Sequence, residues 1–116
     1  METKIVDKPW GSEEIWAITS KYVGKILHID AHQKLSRQYH EVKDETIYVL
    51  SGQLILEIGK SDNIITKVLY RGDTYRITPN TIHRFIAAGK PTSLIEVSTP
   101  ELDDVVRLED DYGRKN

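Results

Sequence analysis

Between Ile15 and Val97 the chain is a succession of short runs rich in Ile, Val, Leu and Tyr, each ended within a few residues by Gly, Asp, Asn or Pro. Such runs are too short for amphipathic helices and fit strands of antiparallel sheet, whose side chains alternate between two faces. The pattern predicts an all-β chain, with strands at Glu14–Ile18, Tyr22–Ile29, Lys34–His40, Thr46–Leu50, Gln53–Ile58, Ile64–Leu69, Asp73–Ile77, Ile82–Ala87 and Thr92–Val97. So many short strands in 116 residues suit a sandwich or jelly roll. Ser51-Gly52 reads as a tight hairpin, and Ser61-Asp62-Asn63, Arg71-Gly72-Asp73 and Gly89-Lys90-Pro91 read as turns. One stretch argues for helix: Thr99 caps Pro100-Glu101, and Leu102, Val105 and Val106 form one side.

No repeat, low-complexity linker or shift in composition divides the chain, so a single domain over residues 1–116 is expected. With 16 basic and 18 acidic residues interspersed, no basic stripe exists to neutralise a run of phosphates, which argues against a nucleic-acid partner. No apolar run approaches the roughly 20 residues that span a bilayer. The opening METKIVDKPWG lacks the apolar core of a secretory signal and the chain has no cysteine, so a cytoplasmic location is expected. The acidic cluster Glu101, Asp103, Asp104, Glu109, Asp110 and Asp111 reads as a solvated terminal face. Outward Thr, Val and Ile, with Tyr48 opposite the Glu45 face, leave apolar surface that points to a homodimer.

Metal-competent side chains gather in Gln38-Tyr39-His40-Glu41-Val42-Lys43-Asp44-Glu45. On a strand Gln38 and His40 point the same way, so both can touch one ion. Glu45 opens the next strand, where it can return to the same spot. His83, at the start of a strand after Thr78-Pro79-Asn80-Thr81, is the natural distant fourth ligand. His28 shares a face with Tyr22 and Asp30 and reads as structural, and His32 falls in a turn.

The spacing of these residues resembles the two motifs of the cupin superfamily, G-x5-H-x-H-x3,4-E-x6-G and G-x5-P-x-G-x2-H-x3-N. His40, Glu45 and Gly52 match the first, with His32 and Gln38 in place of its leading Gly and first His. Gly72 and His83 match the second, with Thr78, Asn80 and Ala87 where Pro, Gly and Asn are usual. The runs Lys8–Ser12, Leu35–His40 and Asp103–Arg114 further resemble the cupin domain of type II phosphomannose isomerases, over about residues 8–114. In those bifunctional proteins the domain follows a guanylyltransferase domain, which this sequence does not contain. The resemblance implies a single cupin barrel, a double-stranded β-helix or jelly roll, with a short C-terminal extension. It also implies one divalent metal ion on Gln38, His40, Glu45 and His83, a ligand set similar to the Gln, His, Glu, His zinc site of phosphomannose isomerases.

Isomerising an aldose and a ketose phosphate removes a proton beside a carbonyl, and an electrophile must stabilise the enediolate. Zinc suits mixed nitrogen and oxygen donors, with manganese, iron, nickel and cobalt as further candidates. Lys25 shares the apolar face of its strand with Val23, Leu27 and Ile29, where loss of hydration suits a base or substrate clamp; the alternative is a strand-end lysine that snorkels to water. Arg37, Arg84, Arg107 and Arg114 offer guanidinium to a phosphate. Arg37 and Arg84 flank ligands and by alternation point away from them, as in structural ion pairs, leaving Arg107 and Arg114 as substrate-binding candidates. Trp10 suits either a cap over the barrel edge or sugar stacking. The expected function is mannose 6-phosphate/fructose 6-phosphate isomerisation; the alternative is a non-catalytic metal-binding cupin that takes up a sugar phosphate or sugar nucleotide. A metal-dependent oxygenase fits less well, because such sites favour His-rich sets.

Overall fold

A computed structural model describes residues 3–114, in which eleven strands form two facing antiparallel sheets. The strands are β1 (Lys4–Lys8), β2 (Gly11–Ile18), β3 (Val23–Ile29), β4 (Arg37–Tyr39), β5 (Glu45–Ser51), β6 (Gln53–Ile58), β7 (Ile65–Tyr70), β8 (Thr74–Ile77), β9 (His83–Ala87), β10 (Thr92–Ser98) and β11 (Val106–Glu109). One sheet runs β1-β2-β3-β10-β5-β8 and the other β11-β4-β9-β6-β7, an open jelly-roll arrangement rather than the closed barrel expected. No helix among the described residues is long and apolar enough to cross a membrane.

Alternation decides what each strand buries. Leu27 and Ile29 on β3, Ile47 and Val49 on β5, Leu54 and Leu56 on β6, Phe85 and Ala87 on β9 and Leu94 on β10 meet between the sheets, closed at one side by Trp10. Trp10 is 2% exposed, so its ring belongs to the core. Burying such side chains contributes roughly 1.5–3 kcal/mol each. Gly11, which follows Trp10, has φ +150° and lies against the His28 carbonyl, so close that a Cβ would stand 1.9 Å from that oxygen.

Four expectations need correction. The tight hairpin at Ser51-Gly52 is a corner, since β5 pairs with β10 and β8 whereas β6 pairs with β9 and β7. Gly52 turns it at φ +81°, with Pro91 and Thr92 too near to admit a side chain. The helix from Thr99 does not form: residues 100–105 are irregular backbone with a turn at Leu102 and Asp103, and Val106–Glu109 is strand β11, paired with β4. Tertiary bonds outweigh the weak local preference there, because Thr99 and Asp104 both bond to the loop after His40. Strand β1 was not expected, and β2 begins at Gly11 rather than Glu14.

Nor is the C-terminal acidic cluster a merely solvated face. Arg37 Nη2 bonds Glu57 (2.7 Å) and its Nε bonds Glu109 (3.2 Å), while Arg84 Nη2 bonds Asp111 (2.8 Å). The two arginines therefore form ion pairs on the outer side of the five-stranded sheet, as alternation predicts. Asp110 holds Arg114 through two bonds of 3.0 Å. His28 bonds Ser93 and Glu14 in a structural role, and His32 sits in a turn at φ +65°.

Candidate metal centre and substrate cavity

His40 follows β4, Glu45 opens β5 and His83 opens β9, and the structure brings the three together in the interior, where they are 4%, 2% and 1% exposed. One donor atom from each lies within 4.8 Å of the others, an arrangement that could hold a metal ion. Glu45 Oε1 stands 3.1 Å from His40 Nε2 and 3.3 Å from His83 Nε2. The other ring nitrogens face backbone carbonyls: His40 Nδ1 that of Asp104 (2.5 Å), and His83 Nδ1 that of Thr81 (2.8 Å). With Nδ1–H donating there, each Nε2 presents a lone pair to a carboxylate oxygen, which repels unless a cation or proton lies between. His83 Nε2 is moreover a buried nitrogen without a hydrogen-bond partner. Both features fit a divalent ion.

Gln38 is the cross-strand partner of His83, and Arg107 on β11 is the partner of Gln38. Directly paired residues share a face, so Arg107, Gln38 and His83 form a row across three strands. Gln38 Oε1 also accepts a bond from buried Ser36 (2.6 Å). A cavity of about 290 Å³ opens beside this row. Its lining includes Gln38, His40, Lys25, Arg107 and Arg114, with Trp10, Leu27 and Phe85 as apolar wall. Burial, then repulsion from Arg114, lowers the pKa of Arg107, as expected of two guanidinium groups turned toward one space.

Lys25 is buried on the inner face, with its Nζ 3.4 Å from Glu13; snorkelling is excluded. Three groups in the cavity escaped the sequence reading. Glu96 lies in register with Lys25 and Ile47, and Lys43 Nζ is 3.2 Å from Glu96 and 3.6 Å from Glu45. Glu13 pairs with Lys25. Parity exposes Glu96, since Thr92, Leu94, Glu96 and Ser98 share the buried face of β10, and Glu13, since it shares a face with Ile15. Lys43 sits on a loop, where no periodicity speaks. Burial opposes ionising Glu45, but the neighbouring imidazoles of His40 and His83, with the charge of Lys43, hold its carboxyl well below the usual range. Burial and the charge of Glu45 push Glu96 up to about 8, against the pull of Lys43.

Residues 25–98 match the cupin domain family. The chain belongs to the cupin family. Among curated relatives, this cupin is 31% identical to xanthan biosynthesis protein XanB of Xanthomonas campestris pv. campestris, over 94% of the chain and 23% of that protein. It is 28% identical to mannose-1-phosphate guanylyltransferase RfbM of Salmonella typhimurium, over 93% of the chain and 22% of that protein. The cupin thus spans less than a quarter of the length of these relatives, and the matched part is the cupin region of phosphomannose-isomerase-type proteins. Among solved structures, the capsular polysaccharide assembling protein CapF of Staphylococcus aureus superposes with a TM-score of 0.82 at 17% identity, covering 94% of this chain and 32% of that one.

Proposed function

We propose that this cupin is a metal-dependent aldose–ketose isomerase that interconverts mannose 6-phosphate and fructose 6-phosphate. The observation that carries the reading is the row Arg107–Gln38–His83 beside buried His40 and Glu45, in which Arg107, Gln38 and His40 line one cavity and so set a guanidinium close to metal-competent donors. The likeness to phosphomannose-isomerase-type relatives over nearly the whole chain supports the sugar-phosphate assignment.

Gln38, His40, Glu45 and His83 would hold a divalent ion, zinc first for this donor set, whose chemistry there is that of a Lewis acid toward the sugar's carbonyl and hydroxyl oxygens. Arg107 and Arg114 bind the phosphate; Arg114 exchanges part of its pairing with Asp110 for phosphate oxygens. Lys25 Nζ, as the neutral amine, takes the proton from the carbon beside the carbonyl and returns it to the former carbonyl carbon, the hydroxyl proton passing to the former carbonyl oxygen, while Glu13 steadies the ammonium between the transfers. The apolar wall of Trp10, Leu27 and Phe85 keeps water from the intermediate.

A second reading, a non-catalytic metal-binding cupin for a sugar phosphate or sugar nucleotide, draws support from the pairing of Lys25 and Lys43 with internal carboxylates. A coupled assay of mannose 6-phosphate turnover, with zinc, manganese, cobalt and nickel supplied in turn, separates the two. The isomerase reading expects turnover that His83→Ala abolishes. Thermal stabilisation by sugar phosphates without turnover under any metal would replace it with the second reading. Exposed Trp16, Ile18, Tyr48, Leu50 and Val97 on the outer face of the six-stranded sheet support a homodimer.

A further inference from the structure

Four residues, Glu41, Val42, Lys43 and Asp44, join His40 to Glu45, and the first two are exposed. A short polar loop of this kind ordinarily leaves its amides to water. Here side chains from beyond β10 take all four N–H groups. Asp104 Oδ1 accepts from Glu41 N (3.0 Å), Asp104 Oδ2 accepts from Val42 N (2.8 Å) and Lys43 N (2.9 Å), and Thr99 Oγ1 accepts from Asp44 N (3.0 Å). The Asp104 backbone carbonyl also accepts from His40 Nδ1. One residue therefore shapes the loop and fixes which ring nitrogen of His40 faces Glu45.

We infer that Asp104 is a positioning residue for the metal centre: its carboxylate casts the loop between His40 and Glu45, and its carbonyl holds His40 in the tautomer whose Nε2 is free to ligate. Two oxygens accepting three amides form a compact nest, which neither Ala nor a single-oxygen Asn reproduces. The same segment continues into β11, so Asp104 also anchors the strand that brings Arg107 beside Gln38. This inference rests on the metal-binding reading of the site, and part of its test needs no metal.

The test compares wild type, Asp104→Ala, Asp104→Asn and the neighbouring exposed control Asp103→Asn. In apo protein, amide hydrogen exchange at Glu41, Val42 and Lys43 and the 15N shifts of the His40 ring are read; with zinc added, the dissociation constant is measured by competition with a chromophoric chelator. The expected result is rapid exchange at the three amides in both Asp104 variants, and a mixed His40 tautomer, because the Asp104 carbonyl, though retained, loses its placement once the carboxylate no longer ties the segment to the loop. Zinc affinity should fall about 10- to 100-fold, the usual cost of disturbing the partner of a ligating histidine, with Asp103→Asn like wild type. Asp104→Asn keeps one acceptor oxygen and serves where Asp104→Ala does not fold. Wild-type exchange and a wild-type His40 tautomer in a folded Asp104 variant would overturn the inference. Wild type that binds none of zinc, manganese, iron, cobalt and nickel would instead overturn the metal-binding reading, and the apo measurements would still decide the role of Asp104 in shaping the loop.

Discussion

Replacing Arg37 with methionine separates the structural arginines from the site, because Arg37 is the immediate neighbour of Gln38 yet projects from the opposite face. Arg37→Met keeps the buried stem and removes three bonds: to Glu57 at 2.7 Å, to Glu109 at 3.2 Å and to the Gly59 carbonyl at 3.2 Å. Glu109 is 55% exposed, so that pair contributes only about 0–1 kcal/mol. Glu57 is 22% exposed, and losing its charged partner costs about 1.5–3 kcal/mol, with roughly 1 kcal/mol more for the neutral carbonyl. The expected loss is about 2.5–5 kcal/mol, or a thermal midpoint lowered by roughly 10–20 °C in a domain of this size. Urea denaturation of the apo protein, followed through the fluorescence of buried Trp10, measures it as a fall in midpoint at constant slope. Zinc affinity should stay within about twofold of wild type, because Arg37 touches no donor of the cluster. A loss below about 0.5 kcal/mol, or an affinity that falls tenfold at unchanged stability, would refute the assignment of Arg37 to the outer face.

Three further outcomes are expected. Gly11→Ala should destabilise by at least about 2 kcal/mol in thermal melts, since strained φ and the His28 carbonyl act together, whereas Gly72→Ala, at φ +91° in open space, should cost only about 1 kcal/mol; equal losses would contradict the contact. Hydrogen bonds from Arg114 hold the Asp110 carboxyl below its usual 3.8, so its contribution is present above that pH and lost as pH falls through the lower folded-state value. Acid titration should therefore show stability falling below about pH 4, and Asp110→Asn should flatten that limb; an unchanged limb would remove Asp110 from the cause. Arg107→Leu should raise the KM for mannose 6-phosphate, with kcat/KM lower by roughly 10- to 100-fold for a lost charged hydrogen bond, while zinc affinity is kept; an unchanged KM would take Arg107 out of phosphate binding.

Parity along regular strands was the most legible part of this chain. It separated Gln38 from Arg37 and His83 from Arg84, and it set Lys25 on the buried face of β3. The same rule exposes Glu96, whose strand alternates as cleanly as any in the molecule. It fails at the edges. Strand β1 carries exposed Ile5, and β11 has four residues, too few to tell a period of two from one of 3.6. Residues 99–105 take their shape from bonds to a loop some sixty residues earlier, which no local pattern encodes. For the same reason Lys43 and Asp104, both on irregular backbone beside the cluster, surface only in three dimensions. Gly52 marked a turn correctly, but whether a turn returns to its own sheet or crosses to the other depends on pairing partners elsewhere.

Metal content bears most directly on the whole reading. Protein purified without chelator, dialysed and analysed by inductively coupled plasma mass spectrometry, then titrated with zinc by calorimetry, should take about one equivalent per chain, as expected of a single His, Glu, His cluster with an orphaned Nε2. His83→Ala should lose that equivalent while keeping the β-sheet circular dichroism spectrum. Folded wild-type protein that neither retains nor takes up zinc, manganese, iron, cobalt or nickel would contradict the metal centre itself.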